Sequence, residues 1–343
     1  MFRRMLSIAA LCAYAVAKIA SADVLVGDFR GVASPGPVLR FGAEQDGNRA
    51  PLASLTTQQD GNVLLTPLYL AYEPVEDVVY LSDFYGRAIR VYPAGASGNV
   101  APLRTLTGPL GQPRHVAVDV AHDEIFVITS TCCVSTFART ADGNATALRQ
   151  IAWRGAARLN NPGFVYYLAA TDEIVVADYT PSPDSRAVLL FFARTASGDV
   201  APTRTIEGAS TLLGTGIVGL AHVPGHAELV ALTVDADGAY RMVTFAQNAS
   251  GNVAPLRVVE GPALGIENAG AIAYDAATDR IYALSGTYNS TSQALVAFPR
   301  TATGNVAPVR RVAGARTTIE EPTGIVAVPP GDWIFADGFN DAD

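Results

Sequence analysis

One short phrase recurs six times along the 343-residue chain. It reads DGNRAP from Asp46, SGNVAPLR from Ser97, DGNATALR from Asp142, SGDVAPTR from Ser197, SGNVAPLR from Ser250 and TGNVAPVR from Thr303. Its glycines, Gly47, Gly98, Gly143, Gly198, Gly251 and Gly304, lie 51, 45, 55, 53 and 53 residues apart. A period of that length marks an array of supersecondary units, each too small to bury its apolar faces alone. After each anchor comes a strand-like run ending in glycine, as in LRTLTG (103–108) and LRVVEG (256–261). A Pro/Gly loop follows, then three apolar runs such as HVAVDV, EIFVITS and VSTFAR within 115–139. These runs are rich in Val, Ile, Phe and Tyr and are bounded by Gly, Pro, Asp or Ser, as strands and turns are. No sustained helical period appears after residue 22.

Four strands per unit, six times over, predict an all-β, six-bladed β-propeller of antiparallel blades rather than a solenoid. Proline cannot donate to a ladder, so Pro102, Pro202, Pro255 and Pro308 are expected to open the outermost strand of their blades. Arg104, Arg149, Arg204, Arg257 and Arg310 recur at one position of that strand and are read as ties between blades. Inner strands are expected to start near Leu68, His115, Phe164, Ile217, Ala271 and Gly324. The last unit runs out of strands, whereas the N-terminus has spare ones, DVLVGDF (23–29), VLRFGA (38–43) and LASLTT (52–57). Pairing the two would close the ring and remove both open edges. GDWIFADGF (331–339) competes for the same slot.

Composition narrows the function classes. Residues 1–22 carry Arg3 and Arg4, an apolar stretch from Leu6 to Ala17, and Ala20-Ser21-Ala22 in the form of a cleavage site. The expected organisation is a signal peptide over 1–22, a propeller over 23–330 and a tail over 331–343, with export to the periplasm or the medium. Cleavage would take the net charge from −8 to −11 and remove Lys18, the sole lysine. Schiff-base and P-loop lysine chemistry are then excluded. With 24 basic against 32 acidic residues, nucleic-acid binding is disfavoured. No later apolar run is long enough to span a bilayer, and a monomer is expected.

The alternation of GIVAV or HVAVD, then IFVITS or IVVAD, then VSTFAR or VLLFFAR resembles NHL-type and YncE/TolB-like six-bladed propellers over residues 23–330. The resemblance implies the fold. It leaves function open, because such propellers host binding scaffolds, sensors and hydrolases alike.

Propeller sites sit where loops converge around the axis. The loops leading into inner strands offer Thr66, Gln112, Asn161, Thr215, Glu267, Asn268, Glu320 and Glu321. Those joining second to third strands offer Asp28, Asp83, Asp178, Asp235, Asp237 and Asn289. Asp28, Asp83, Gln112, Asn161, Asp178, Asn268 and Glu321 are the expected ligand-binding face, for a small molecule or a protein. Carboxylates and amide oxygens from several blades suit Ca²⁺. Asn161, Asp178, Asn268 and Glu321 resemble the Glu/Asn/Asn/Asp centre of gluconolactonase- and paraoxonase-like propellers, without the motifs that flank it there. Each also has a turn or capping explanation. His115 is either a base at the channel mouth or a strand-end histidine satisfied by a neighbour. His222 and His226 flank Pro224-Gly225, so a turn is expected rather than a helical zinc pair. Cys132 and Cys133 are adjacent, and a vicinal disulfide, two small apolar residues and intermolecular pairing all remain open. Two functions stand: a non-catalytic exported binding scaffold, and a Ca²⁺-dependent lactonase or esterase.

Overall fold

The computed structural model describes residues 22–30, 36–56, 66–130, 133–152, 155–180, 186–287, 290 and 292–329. These form six four-stranded antiparallel sheets arranged as the blades of a propeller. Blade I is built from Pro322–Val328, Asp23–Asp28, Val38–Gly42 and Ala53–Leu55, in order from the axis outward. Blade II follows with Pro67–Glu73, Val78–Asp83, Ala88–Pro93 and Arg104–Leu106, and blade III with Pro113–Asp119, Glu124–Thr129, Cys133–Ala138 and Arg149–Ala152. Blade IV holds Phe164–Leu168, Glu173–Tyr179, Ala187–Ala193 and Arg204–Ile206. Blade V holds Gly216–Val223, Glu228–Val234, Tyr240–Ala246 and Arg257–Glu260, and blade VI Ile272–Asp275, Arg280–Ser285, Ala294–Pro299 and Arg310–Ala313. The expected closure is present: Asp23–Asp28 pairs with Pro322–Val328, Val24 opposite Ala327. That slot is filled by the N-terminal strand. Residues 1–21, Cys132 and 330–343 lie outside the described residues, and with them the leader, the cysteine pairing and the tail.

Burial grades along each blade. The second strands are covered on both faces, so Val78–Asp83 and Glu124–Thr129 are buried at every position. Their near-continuous apolar sequences follow from being sandwiched between neighbouring blades. Inner strands are only half buried, as in Pro67–Glu73, because one face turns to the axis. The large side chains between blades include Phe126, Phe191, Phe192, Phe245 and Phe298, each under 2% exposed.

The outer strands begin two residues later than the proline rule suggested, at Arg104, Arg204, Arg257 and Arg310. The reason is the first available amide: Leu103 donates to Val91, Thr203 to Phe191, Leu256 to Thr244 and Val309 to Ala297, so the proline itself stays in the connection. The anchor phrase does more than turn the chain. Its glycine forms a parallel bridge to the outer strand of the preceding blade at all six joints, from Leu55 with Gly98 round to Val312 with Gly47. All six glycines have φ between +59° and +78°, with open space where a Cβ would stand. Backbone conformation, not crowding, requires glycine there.

Paired arginines reinforce the joints. Arg139 of blade III reaches Glu76 of blade II at 2.6 Å, Arg194 of blade IV reaches Glu124 of blade III at 3.0 Å, and Arg300 of blade VI reaches Glu228 of blade V at 3.2 Å. The same three carboxylates hold the outer-strand arginines of their own blades, Arg104, Arg149 and Arg257. Arg204 pairs with Glu173 and donates across the next joint to the carbonyls of Gln247 and Ala249, while Arg40 donates to that of Ala94. The outer-strand arginines therefore act mostly within their blades, through a carboxylate shared with the next. At the closing joint the polarity reverses: Arg280 and Arg310 of blade VI grip Glu44 of blade I.

Candidate functional site

Three of the four acids expected to face a ligand are turned into the protein, toward loop amides and, for Asp28 and Asp83, also toward Arg30 and Arg90. Asp28 and Asp83 are fully buried and Asp178 is 3% exposed. Asp28 and Asp83 end second strands and Asp178 stands one residue before the end of another, and each accepts hydrogen bonds from amides of the loop leading into the inner strand of the same blade. Asp28 accepts from Glu320 (3.0 Å) and Glu321 (2.7 Å), and Asp83 from Thr66 (3.0 Å). Asp178 accepts from Asn160 (2.7 Å), Asn161 (2.8 Å) and Tyr179 (2.7 Å). Ser130 and Ser285 take that place in blades III and VI, accepting from Gln112 and Glu267. Burial raises the carboxyl pKa of Asp28 and Asp178, outweighing the amides that pull it down. Among the described residues no three His, Cys, Asp or Glu side chains gather at metal-holding distance. Asp235 organises its own hairpin turn through the amides of Asp237 and Ala239. His222 bonds Gln247 while His226 approaches Asp279, with a single 3-10 turn over Pro224–His226 between them. Asn289 lies outside the described residues.

The space on the axis is lined from all six blades. A cavity of about 490 Å³ opens on the side where second strands end, between Thr323 of blade I, Leu68 and Tyr69 of II, Arg114 of III, Asn161, Gly163 and Phe164 of IV, Thr215 to Val218 of V and Ala269 and Gly270 of VI. Of the four residues resembling a metal centre, Asn161 and Asp178 line it, whereas Asn268 and Glu321 do not. Gln112 also stands outside, its backbone N–H donating to the Ser130 hydroxyl. Among the described residues the one cationic side chain that lines the cavity is Arg114, which sequence reasoning passed over. Its Nη1 donates to Asn161 Oδ1 at 2.6 Å and to the Pro162 carbonyl at 3.3 Å, and Asn161 Nδ2 donates to the Tyr179 hydroxyl at 3.1 Å.

The signal for Arg114 was in the repeat. The residue after the inner-strand proline is Leu68, Arg114, Gly163 and Thr323 in blades II, III, IV and I, and all four line the cavity. A charge in a position otherwise small or apolar marks a departure from the structural pattern. Gly163 departs too. Its backbone is not left-handed, and nothing lies within 4 Å of where its Cβ would stand, so neither strain nor packing demands glycine.

Deeper along the axis the channel is blocked by rings. Tyr69, His115, Phe164 and Tyr166 cluster with centroid separations of 5.1–5.5 Å. His115 is the third residue of its strand and 4% exposed, so it stands inside the channel rather than at its mouth. Among the described residues its Nδ1 has no hydrogen-bond partner, and burial pushes the ring down to about 3, so it is neutral. Beyond the rings a second chamber of about 290 Å³, lined by Tyr72, His115, His222 and Tyr274 among others, opens on the opposite face.

No protein-family model matches the chain, and no curated protein matches it in sequence. Solved structures do share its fold. One, a provisionally assigned 6-phosphogluconolactonase from Bacteroides uniformis, aligns at a TM-score of 0.52 and 12% identity, covering 90% of this chain and 99% of its own. Among the described residues no helix is long and apolar enough to cross a membrane.

Proposed function

We propose that this chain is a small-molecule-binding propeller whose ligand occupies the axial cavity beside Arg114 and Gly163. The observation that carries the reading is Gly163, a cavity-lining glycine with ordinary backbone and nothing within 4 Å of where its Cβ would stand. A pocket of about 490 Å³ walled by apolar groups and a few polar ones is the usual form of such a site. Binding is favoured over catalysis because, among the described residues that line the cavity, there is no nucleophile–base pair and no acid–base carboxylate pair.

The rival reading, a Ca²⁺-dependent lactone hydrolase, asks Asn161, Asp178, Asn268 and Glu321 to meet around one cation with His115 as base. Against it, Asp178 spends both oxygens on amides, Asn161 is engaged by Arg114 and Tyr179, and His115 is an unusually weak base. The likeness to the Bacteroides protein supports the fold and carries no activity across at 12% identity.

The test is a fragment library screened by saturation-transfer NMR against wild type and Gly163→Leu. Fragments that bind wild type and are lost in the equally folded variant support the reading. A library that binds both alike, or neither, overturns it.

A further inference from the structure

Resting on the axial cavity being a ligand site, we infer that its ligand is an organic oxyanion, a carboxylate or a phosphate ester with an apolar body, bound through Arg114. The first ground is charge. Arg114 is only half buried and has no carboxylate within 4.0 Å among the described residues, whereas the arginines of the blade joints such as Arg139, Arg194 and Arg300 each hold one or more. Among the described residues Asp178 is the one carboxylate that lines the cavity; the Arg114 charge reaches it only beyond ion-pair distance, and its oxygens are taken by three backbone amides.

The second ground is preorganisation. The guanidinium is fastened at Nη1 by two neutral acceptors, Asn161 Oδ1 and the Pro162 carbonyl, and Asn161 is itself held by Tyr179. Neutral acceptors fix the group without cancelling its charge. Nε and Nη2 make no hydrogen bond to a described residue, and together they form the planar fork that matches two oxygens of a carboxylate or phosphate. Rigid donors lose little on binding, so affinity is not spent on ordering them.

The third ground is shape. The neighbouring position in blade IV is Gly163, which leaves open space beside the guanidinium, and Leu68, Ile217 and Val218 supply apolar wall. A charged end at blades III and IV and an apolar remainder therefore describe the occupant.

Benzoate, phenyl phosphate and the neutral isostere benzamide, titrated by calorimetry or NMR, separate the possibilities. Wild type should prefer at least one of the two anions to benzamide by about tenfold or more, and which anion it prefers tells carboxylate from phosphate. Arg114→Gln should erase the preference and Arg114→Lys should keep part of it, with folding of both checked by thermal melting. Gly163→Leu should abolish binding of all three. If benzamide binds wild type as well as the anions do, and Gly163→Leu still abolishes it, the anion inference falls while the cavity stands. If Gly163→Leu leaves binding untouched, or if no probe binds wild type, both fall.

Discussion

The amide of Gly47 donates to the carbonyl of Arg311 at 2.9 Å, joining the first anchor to the last outer strand. The same hydrogen bond recurs from Gly98 to Ser54, Gly143 to Thr105, Gly198 to Gln150, Gly251 to Thr205 and Gly304 to Val258. The closing joint thus uses the same backbone contact as the other five. Deleting residues 23–57 would expose the edge of Pro322–Val328 and leave blades II and VI without a neighbour between them. The expected result is loss of the whole cooperative melt, read by circular dichroism and calorimetry. A truncated protein that still melts cooperatively would contradict it.

Gly251 sits at φ +78° with room for a side chain. Gly251→Val should cost about 1–2 kcal/mol, the price of the left-handed region for a side-chain-bearing residue. Gly163→Ala, where φ is ordinary, should lie within about 0.5 kcal/mol of wild type. Denaturant unfolding of the two variants gives the comparison.

Glu228 is 7% exposed and holds Arg257 at 2.5 Å and Arg300 at 3.2 Å. Glu228→Gln should destabilise by about 2–4 kcal/mol, because the partly buried Arg257 loses its counter-charge and Arg300 is left with Asp279 alone. A double-mutant cycle with Arg300→Met should return a coupling on the order of 1–2 kcal/mol. Additivity within error would mean that the joint is not electrostatic.

The pH dependence has a definite sign. His115 titrates near 3 when folded and at its ordinary 6.5 when unfolded, so between those values the unfolded chain binds the extra proton. Stability contributed by the neutral ring is therefore complete above 6.5 and is lost as pH falls toward 3. His222, whose pKa burial also lowers, acts in the same direction. Replacing His115 with Phe, which suits the surrounding rings, should flatten the fall in melting temperature between pH 6.5 and 5. An unchanged slope would place the acid sensitivity elsewhere.

Calcium gives a further separation. With Asp178 committed to amides and Glu321 and Asn268 outside the cavity, millimolar Ca²⁺ should leave the melting temperature unchanged. A concentration-dependent rise, lost in Glu321→Gln and kept in Asp142→Asn, would restore the cation reading.

The blades were legible because their signal is local and repeated six times. Strand runs, anchor glycines and the missing last strands are all visible within a window of about 50 residues. The site was less legible. An Asp at the end of a strand looks the same whether it faces solvent or an amide, and the amide that takes Asp83 belongs to Thr66, 17 residues earlier. Similarly, whether Arg114 or His115 meets the cavity depends on which way the strand faces after Pro113. Their different fates, one lining the open mouth and the other inside the ring cluster, follow from alternation along a single strand.

The reversed pair at the last joint bears on how the chain counts its own blades. Near-identical repeats invite closure at the wrong place. If blade V met blade I directly, omitting blade VI, Glu228 and Glu44 would share the single outer-strand arginine Arg257, whereas in the native ring each of those carboxylates holds two arginines. Two acids competing for one cation penalise the five-membered ring, and only the arrival of Arg280, Arg300 and Arg310 with the sixth blade settles both. Swapping the charges of Glu44 and Arg280 would take that discrimination away while keeping one opposite-charge pair at the joint.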